Sequence, residues 1–360
     1  MFPVRLGCLL LVLGLVLPAT GAPRARPAGK AASQAAADSY RGRAELRNFA
    51  AEVAARHDWD AAWVMMQLHG ARRLPRVAQL IMPPPVGVPK NWAAYRDRFV
   101  EPRRIEAGLA FWRTHESTLQ RAEQAFGVPP EIVAGIIGVE TFYGRVTGDF
   151  RVLDALATLS FDFPSGRSDR SAFFRGELEE LLVLARREGV RADSFKGSYA
   201  GAIGWPQFMP GSINRHAVDF DGDGHIDLQR NVADVIGSVA HYLQAHGWQR
   251  GLPTHFAVQP PAPGTGRDTL LGPDIRPSFS ATQFGEQGAQ LAPEAQSHEG
   301  LLALVELQNG ASEPSHVAGT QNFYAITRYN WSSYYAMAVI TLGQALKDAR
   351  AGGARVAASP

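Results

Sequence analysis

The segment Pro129-Pro130-Glu131-Ile132-Val133-Ala134-Gly135-Ile136-Ile137-Gly138-Val139-Glu140 constrains the fold more than any other part of the chain. Proline at the first helical position starts a helix at no cost, because the N–H it lacks has no partner inside the helix anyway. Ile132, Val133, Ile136, Ile137 and Val139 leave no wide polar face. A helix apolar on nearly all sides is a central, buried one, and Gly144 is its expected stop. Such a helix carries an acid, Glu140, to its end. In a poorly solvated pocket the ionised form of a carboxyl group is disfavoured and its pKa rises, which keeps a proton available for a glycosidic oxygen near neutral pH. The alternative is a helix-terminal glutamate paired with Arg145 or left in water.

The rest of the 360 residues must enclose that helix, and the length suffices for two or three packed units. An apolar fraction of 46% against 19% charged residues belongs to a globular chain. A formal net charge of +2, with no block of Lys and Arg, gives no basis for nucleic-acid binding. At the N-terminus Arg5, the apolar run Leu6 to Leu17 and the small residues Pro18 to Ala22 follow the order of a secretory signal, so 1–22 is expected to be removed on export. The run is shorter than the ~20 residues of a membrane-spanning helix. Cys8, the only cysteine, precedes the end of that apolar run, whereas a lipoprotein cysteine follows it. A soluble product without disulfides is expected.

Residues 23–42 are rich in Ala, Pro, Gly and Arg and read as a tether. Helical spacing of Leu46, Phe49, Val53, Trp63, Met66 and Leu74 begins an N-terminal helical region at 43–125. It includes one stretch from about Glu106 to Phe126. A core at 126–251 contains further helices at Asp154–Leu159, Phe173–Arg187 and Asn231–His246. Short apolar pieces punctuated by Pro and Gly at 252–319 predict a small β-rich insertion, with a strand at Leu301–Leu307. The core closes at 320–350 with a helix over Tyr334–Lys347. The fold class is therefore mainly α, with an α+β element in the insertion.

Two more stretches bear on chemistry. Asp219-Phe220-Asp221-Gly222-Asp223-Gly224-His225-Ile226 has oxygen ligands at positions 1, 3 and 5, Gly at 6 and an apolar residue at 8, the opening of an EF-hand calcium loop. Position 7, His225, contributes its backbone carbonyl in such loops. Position 12 is Arg230 rather than Glu, and Asp234 on the following helix is the nearest acid to replace it. The alternative is a solvated Asp/Gly turn. The stretch Ser198 to Pro210 combines small residues, aromatics, Ser198 and Gln207, which suits a cleft for sugars as well as an ordinary packed loop. The aromatics from Arg328 to Tyr335 read first as core.

Together these strings resemble the lytic murein transglycosylase B family, whose fold is lysozyme-like. The resemblance is carried by Gly138-Val139-Glu140-Thr141 with Tyr143-Gly144, by Leu153 to Phe161, by Ser198 to Pro210, by Val218 to Ile226, by Gly237-Ser238-Val239-Ala240, by His246-Gly247-Trp248 and by Asn322 to Asn330. It spans about residues 45–350. It implies that Glu140 is the catalytic acid and base. Tyr95, Ser198, Gln207, Tyr242, Asn330 and Tyr335 then fall on the sugar cleft, and Asp219, Asp221, Asp223, His225 and Asp234 on a structural Ca2+ loop. Residues 162–172 are longer than the family pattern, and Phe173 stands where a tyrosine is expected. The implied reaction cleaves peptidoglycan between N-acetylmuramic acid and N-acetylglucosamine and leaves 1,6-anhydromuramic acid, with no catalytic cofactor. The implied partners are glycan strands and proteins of cell-wall synthesis or remodelling, met by a monomer. The alternatives are a hydrolytic muramidase and a non-catalytic, calcium-stabilised glycan-binding scaffold.

Overall fold

The computed structural model describes residues 38–83 and 89–357. In chain order its helices are α1 (Ala44–His57), α2 (Ala61–Leu68), α3 (Pro75–Leu80), α4 (Trp92–Arg96), α5 (Pro102–Thr114), α6 (Glu116–Phe126), α7 (Pro130–Thr141), α8 (Val152–Phe161), α9 (Ser171–Arg187), α10 (Pro210–His216), α11 (Val232–Ala245), α12 (Thr265–Leu271), α13 (Ala281–Glu286), α14 (Pro293–Gln296), α15 (Gln321–Thr327) and α16 (Ser333–Ala357). The strands are β1 (Phe150–Arg151), β2 (Lys196–Gly197), β3 (His255–Gln259), β4 (Gln290–Leu291), β5 (Ala303–Asn309) and β6 (Ser312–Gly319). The expected signal at 1–22 lies outside the described residues, as does most of the tether at 23–42.

The apolar segment is α7, and α5, α6, α11 and α16 all pack on it. Nearly every residue from Pro130 to Thr141 is buried. The crossing with α16 is backbone to backbone. A Cβ on Gly135 would lie 2.5 Å from the Val339 carbonyl oxygen, and one on Gly343 would lie 2.4 Å from that of Glu131. The helix ends before Gly144, because Phe142 and Tyr143 already turn left-handed at φ 52° and 56°. Their N–H groups close the end on the carbonyls of Gly138 and Ile137. Such φ values cost about 1 kcal/mol each. The buried Tyr143 ring offsets this by packing 5.3 Å from Phe111.

The single helix expected over Glu106–Phe126 is two. His115, at φ −116° and ψ 25°, separates α5 from α6. The break lets α5 follow α7 and α16 while α6 turns to meet α11. At the other end of the chain, Tyr40 is buried and donates its hydroxyl to Asp162, so the fold begins before α1. Phe161, at the end of α8, meets both Tyr40 and Phe49.

The insertion is a four-stranded antiparallel sheet in the order β4-β3-β6-β5, flanked by α12 to α14. Its strand β5 starts two residues later than expected. Leu301 is exposed, and Leu302 pairs with Phe279 instead. Alternation along β5 serves two cores. Leu304 joins Phe256, Leu270, Phe284 and Ala318 in a small one. Ala303, Val305 and Leu307 face the main helical core. Two hydrogen bonds fasten the sheet to the helices beyond it, from the Gly310 N–H to the Lys90 carbonyl and from the Tyr334 hydroxyl to the Gln308 carbonyl.

Candidate active site

Glu140 stands in the last turn of α7 and is 8% exposed. Tyr335, from the first turn of α16, donates its hydroxyl to Oε1 at 2.6 Å. Burial pushes the Glu140 carboxyl up to about 7, and the Tyr335 hydrogen bond pulls against that rise by favouring the anion. No second carboxylate among the described residues contributes to the shift. The site thus holds one acid poised near neutrality, with a phenol ready to stabilise its charged form.

The loop from Ser198 to Pro210 is stapled to the end of α7. Thr141 Oγ1 donates to the Trp205 carbonyl at 2.9 Å and accepts the Gly144 N–H at 3.1 Å. Gly144, at φ 80°, is required here, since a Cβ would come within 2.2 Å of the Trp205 ring. Ser198 is buried, and its hydroxyl oxygen accepts the N–H groups of Ala200 and Ala202. Gln207 has φ 51°, and both its amide hydrogens are engaged, by the carbonyls of Thr147 at 3.1 Å and Gly204 at 2.8 Å. Pairing of β1 with β2 sets Ser198 beside α8, with Phe150 opposite Gly197.

Tyrosines line the other side. Tyr329 stacks on Tyr335 with ring centroids 6.2 Å apart, and its hydroxyl donates to the Pro206 carbonyl at 3.0 Å. Tyr242, from α11, packs 4.8 Å from Tyr329 and donates to the Arg328 carbonyl at 2.7 Å. Asn330 follows in the turn between α15 and α16, half-buried. Tyr95, on α4, joins this side through Tyr334, 5.8 Å away.

The acidic loop lies beside the start of α11, and its later residues meet the Ser198–Pro210 loop, where the Trp205 N–H donates to the Leu228 carbonyl at 2.9 Å and its Nε1–H to the Gln229 carbonyl at 3.1 Å. Carboxylate oxygens of Asp219, Asp221 and Asp223 all approach within 4.8 Å of one another at the surface. The N–H groups of Gly222, Asp223 and Gly224 point at Asp219. This is a loop curled around its own carboxylates, a donor set of hard oxygens that fits calcium. His225 turns its ring outward, with Nδ1 3.8 Å from Glu188. Asp234 is fully buried, and its two oxygens accept the N–H groups of Phe220 at 2.8 Å and Asp227 at 2.9 Å. It braces the loop from behind and is not among the three clustered acids. Burial holds its carboxyl above the usual range.

These features coincide with a known group of proteins. A model of the transglycosylase SLT domain matches residues 41–344. The membrane-bound lytic murein transglycosylase B of Escherichia coli (strain K12) is 42% identical over 312 residues, 84% of this chain and 83% of that protein. The crystal structure of the E. coli lytic transglycosylase Slt35 in complex with calcium is 40% identical, with TM-score 0.75, covering 88% of this chain and 98% of that one. SltB3 from Pseudomonas aeruginosa, in complex with NAG-NAM-pentapeptide, is 29% identical with TM-score 0.71, covering 84% and 79%. The chain belongs to the lytic murein transglycosylase family. Its mainly helical body is the lysozyme-like fold expected for that family.

Three residues of this lytic transglycosylase's site escaped sequence reasoning. Thr141 and Tyr329 stood inside the quoted strings, but their tasks depend on carbonyls of distant loop residues. Asn231 caps α11 through its side-chain oxygen and donates its amide to Asp221 at 2.7 Å. An Asn just before a helical run was the signal for the cap, and nothing local signalled the second bond.

Proposed function

We propose that the chain cleaves the β-1,4 bond between N-acetylmuramic acid and N-acetylglucosamine in peptidoglycan, with Glu140 acting first as acid and then as base. The observation that carries this reading is a single buried carboxyl held up to about 7 with no second carboxylate acting on it. Protonated Glu140 gives its proton to the glycosidic oxygen as the C1–O4 bond breaks. The N-acetyl group of the muramic acid stabilises the cation developing at C1. Glu140, now an anion supported by the Tyr335 hydroxyl, takes the proton from the same sugar's C6 hydroxyl, and O6 closes on C1. The proton balance is zero and no water enters. An internal nucleophile profits from proximity, which removes the need for the second carboxylate of ordinary glycosidases.

Ser198, Gln207, Tyr242, Asn330, Tyr335 and Tyr95 line the cleft in this reading. Gln207 offers its carbonyl, since its amide hydrogens are engaged within the loop. The loop at 219–234 takes Ca2+ through Asp219, Asp221, Asp223, the His225 carbonyl and Asp234, which also braces the loop through two N–H groups. The ion supplies structure and no chemistry. The Slt35 structure in complex with calcium supports this assignment. Among the described residues no helix is long and apolar enough to cross a membrane, and we place the protein in the periplasm as an exported form.

The test is product analysis on isolated cell wall by mass spectrometry. Fragments one water lighter than hydrolytic ones are expected. Hydrated reducing ends alone would transfer the reading to a hydrolytic muramidase, wall turnover retained in Glu140→Gln would point to another catalytic group, and no turnover by the wild type would favour a binding scaffold.

A further inference from the structure

Two arginines outside the acid site converge on one tryptophan. Arg276 comes from the β-rich insertion and Arg328 from the end of α15. Their guanidinium carbons lie 5.2 and 5.3 Å from the centre of the Trp331 ring. Arg328 also covers Tyr324 at 5.6 Å, and Tyr324 meets Trp331 edge-on at 6.0 Å. The platform is anchored. Ile275, next to Arg276, is buried in the main core, and the Ser278 hydroxyl holds the Arg276 carbonyl at 2.9 Å. Among the described residues neither guanidinium is ion-paired. The polar contact that Arg328 makes through its side chain is a 3.5 Å approach of Nη1 to the Tyr324 hydroxyl.

Two like charges held at one ring repel each other, and an anion bound at this pair relieves that repulsion. Guanidinium is suited to carboxylate, which it grips with two parallel hydrogen bonds. A sugar ring would need a bare aromatic face, and Trp331 is already covered by cations. The platform also adjoins the cleft. The Arg328 carbonyl receives the Tyr242 hydroxyl, and the next residue, Tyr329, stacks on the tyrosine that holds Glu140. The substrate of the proposed reaction carries peptide on its muramic acid, and a peptide of this kind stands in the SltB3 complex.

We propose that Arg276 and Arg328, stacked over Trp331, bind a carboxylate of the peptide stem on the muramic acid. This rests on the peptidoglycan reading given above. It makes the insertion a contributor to substrate selection, since Arg276 is its contribution to the pair.

The experiment compares three substrates with the full-length protein: glycan strands with peptide stems, the same strands with stem carboxylates amidated, and strands stripped of peptide by an amidase. For Arg276→Gln the expected result on peptide-bearing strands is a rise in KM of about threefold to tenfold, the range for losing one charge-assisted contact, with kcat unchanged. On amidated and stripped strands the variant should match the wild type. Arg276→Lys should fall between, because the charge remains and the two-pronged geometry does not. Equal losses on all three substrates, or no loss on peptide-bearing strands, would overturn the site. A wild type that releases no anhydromuramyl product from any of them would overturn the reaction itself, a separable outcome. Titration of free stem peptide into wild type and Arg276→Gln provides a second reading independent of turnover, and equal affinity of the two counts against the site.

Discussion

Burial of Glu140 is a cost to the fold, one that the proposed chemistry accounts for. In the unfolded chain the carboxyl ionises near 4.5, and in the fold at about 7. Below pH 4.5 both states keep the proton and the group leaves stability unchanged. Above it the unfolded chain releases the proton first, so the folded state loses ground until the pH passes about 7. An offset of this size corresponds to roughly 3 kcal/mol. Glu140→Gln removes the ionisation while keeping the shape. It should abolish anhydro product, by a hundredfold or more, about the contribution of a general acid and base. It should also melt at a higher temperature than the wild type at pH 8, with the gap closing by pH 4. A calorimetric scan showing the variant less stable at pH 8 would contradict a buried acid. Tyr335 sets the other side of the balance. Its hydroxyl favours the anion, so Tyr335→Phe should move the basic limb of the kcat/KM profile above pH 7 by about half a unit to one unit. It should also lower kcat about tenfold, the value of a hydrogen bond to a charged group. A limb that stays in place would mean that the phenol does not reach the acid in the working enzyme.

Acid and phenol ride on different helices, so the crossing of α7 and α16 decides their distance. A methyl group on Gly343 would meet a backbone oxygen of α7 at 2.4 Å, and backbone cannot rotate away. Gly343→Ala should therefore force the helices apart, cost about 1–3 kcal/mol in urea unfolding, and reduce kcat with it. An unchanged midpoint would show that the helices have room to spare. At the loop proposed to take calcium, chelation should lower the melting temperature and added calcium restore it. The expected stabilisation is about 2.7 kcal/mol when calcium stands at a hundred times its Kd. Turnover well below the melting range should hardly change. Both elements were legible in sequence to different depths. An all-round apolar pattern can only be a central helix, and the loop's 1, 3, 5 spacing is local geometry. The break at His115 has no Gly or Pro to mark it, because it follows from where α6 must dock. The duty of Asp234 was equally hidden. Spacing suggested a ligand, and nothing local signalled that both of its oxygens also accept N–H groups of the loop.

For the whole molecule, the sequence showed where the β-rich insertion lies but not how it is joined. Alternation in Ala303-Leu304-Val305-Glu306-Leu307 announces a strand with two faces, and which core each face enters depends on residues far away in the chain. In the fold, β5 is a partition. Leu304 is packed with Phe256, Leu270 and Phe284, while Val305 and Leu307 are packed with the helices. The same strand's end is tied to the α4 side of the cleft, through the bridge between Asn91 and Asn309. Truncation of a buried leucine costs about 2–5 kcal/mol wherever it occurs, but here the two leucines should spend that loss differently. Leu304→Ala should loosen amide protection over residues 255–319 and leave α7 and α16 protected. Leu307→Ala should lower protection in the insertion and in the helices together, and should weaken turnover, because the wall that carries Tyr95 loses its support. Hydrogen exchange followed by mass spectrometry separates the two patterns. If both variants loosen the insertion alone, the sheet is an appendage. If they diverge as expected, β5 couples the small core of the insertion to the main core of the helical body, and the cleft depends on both.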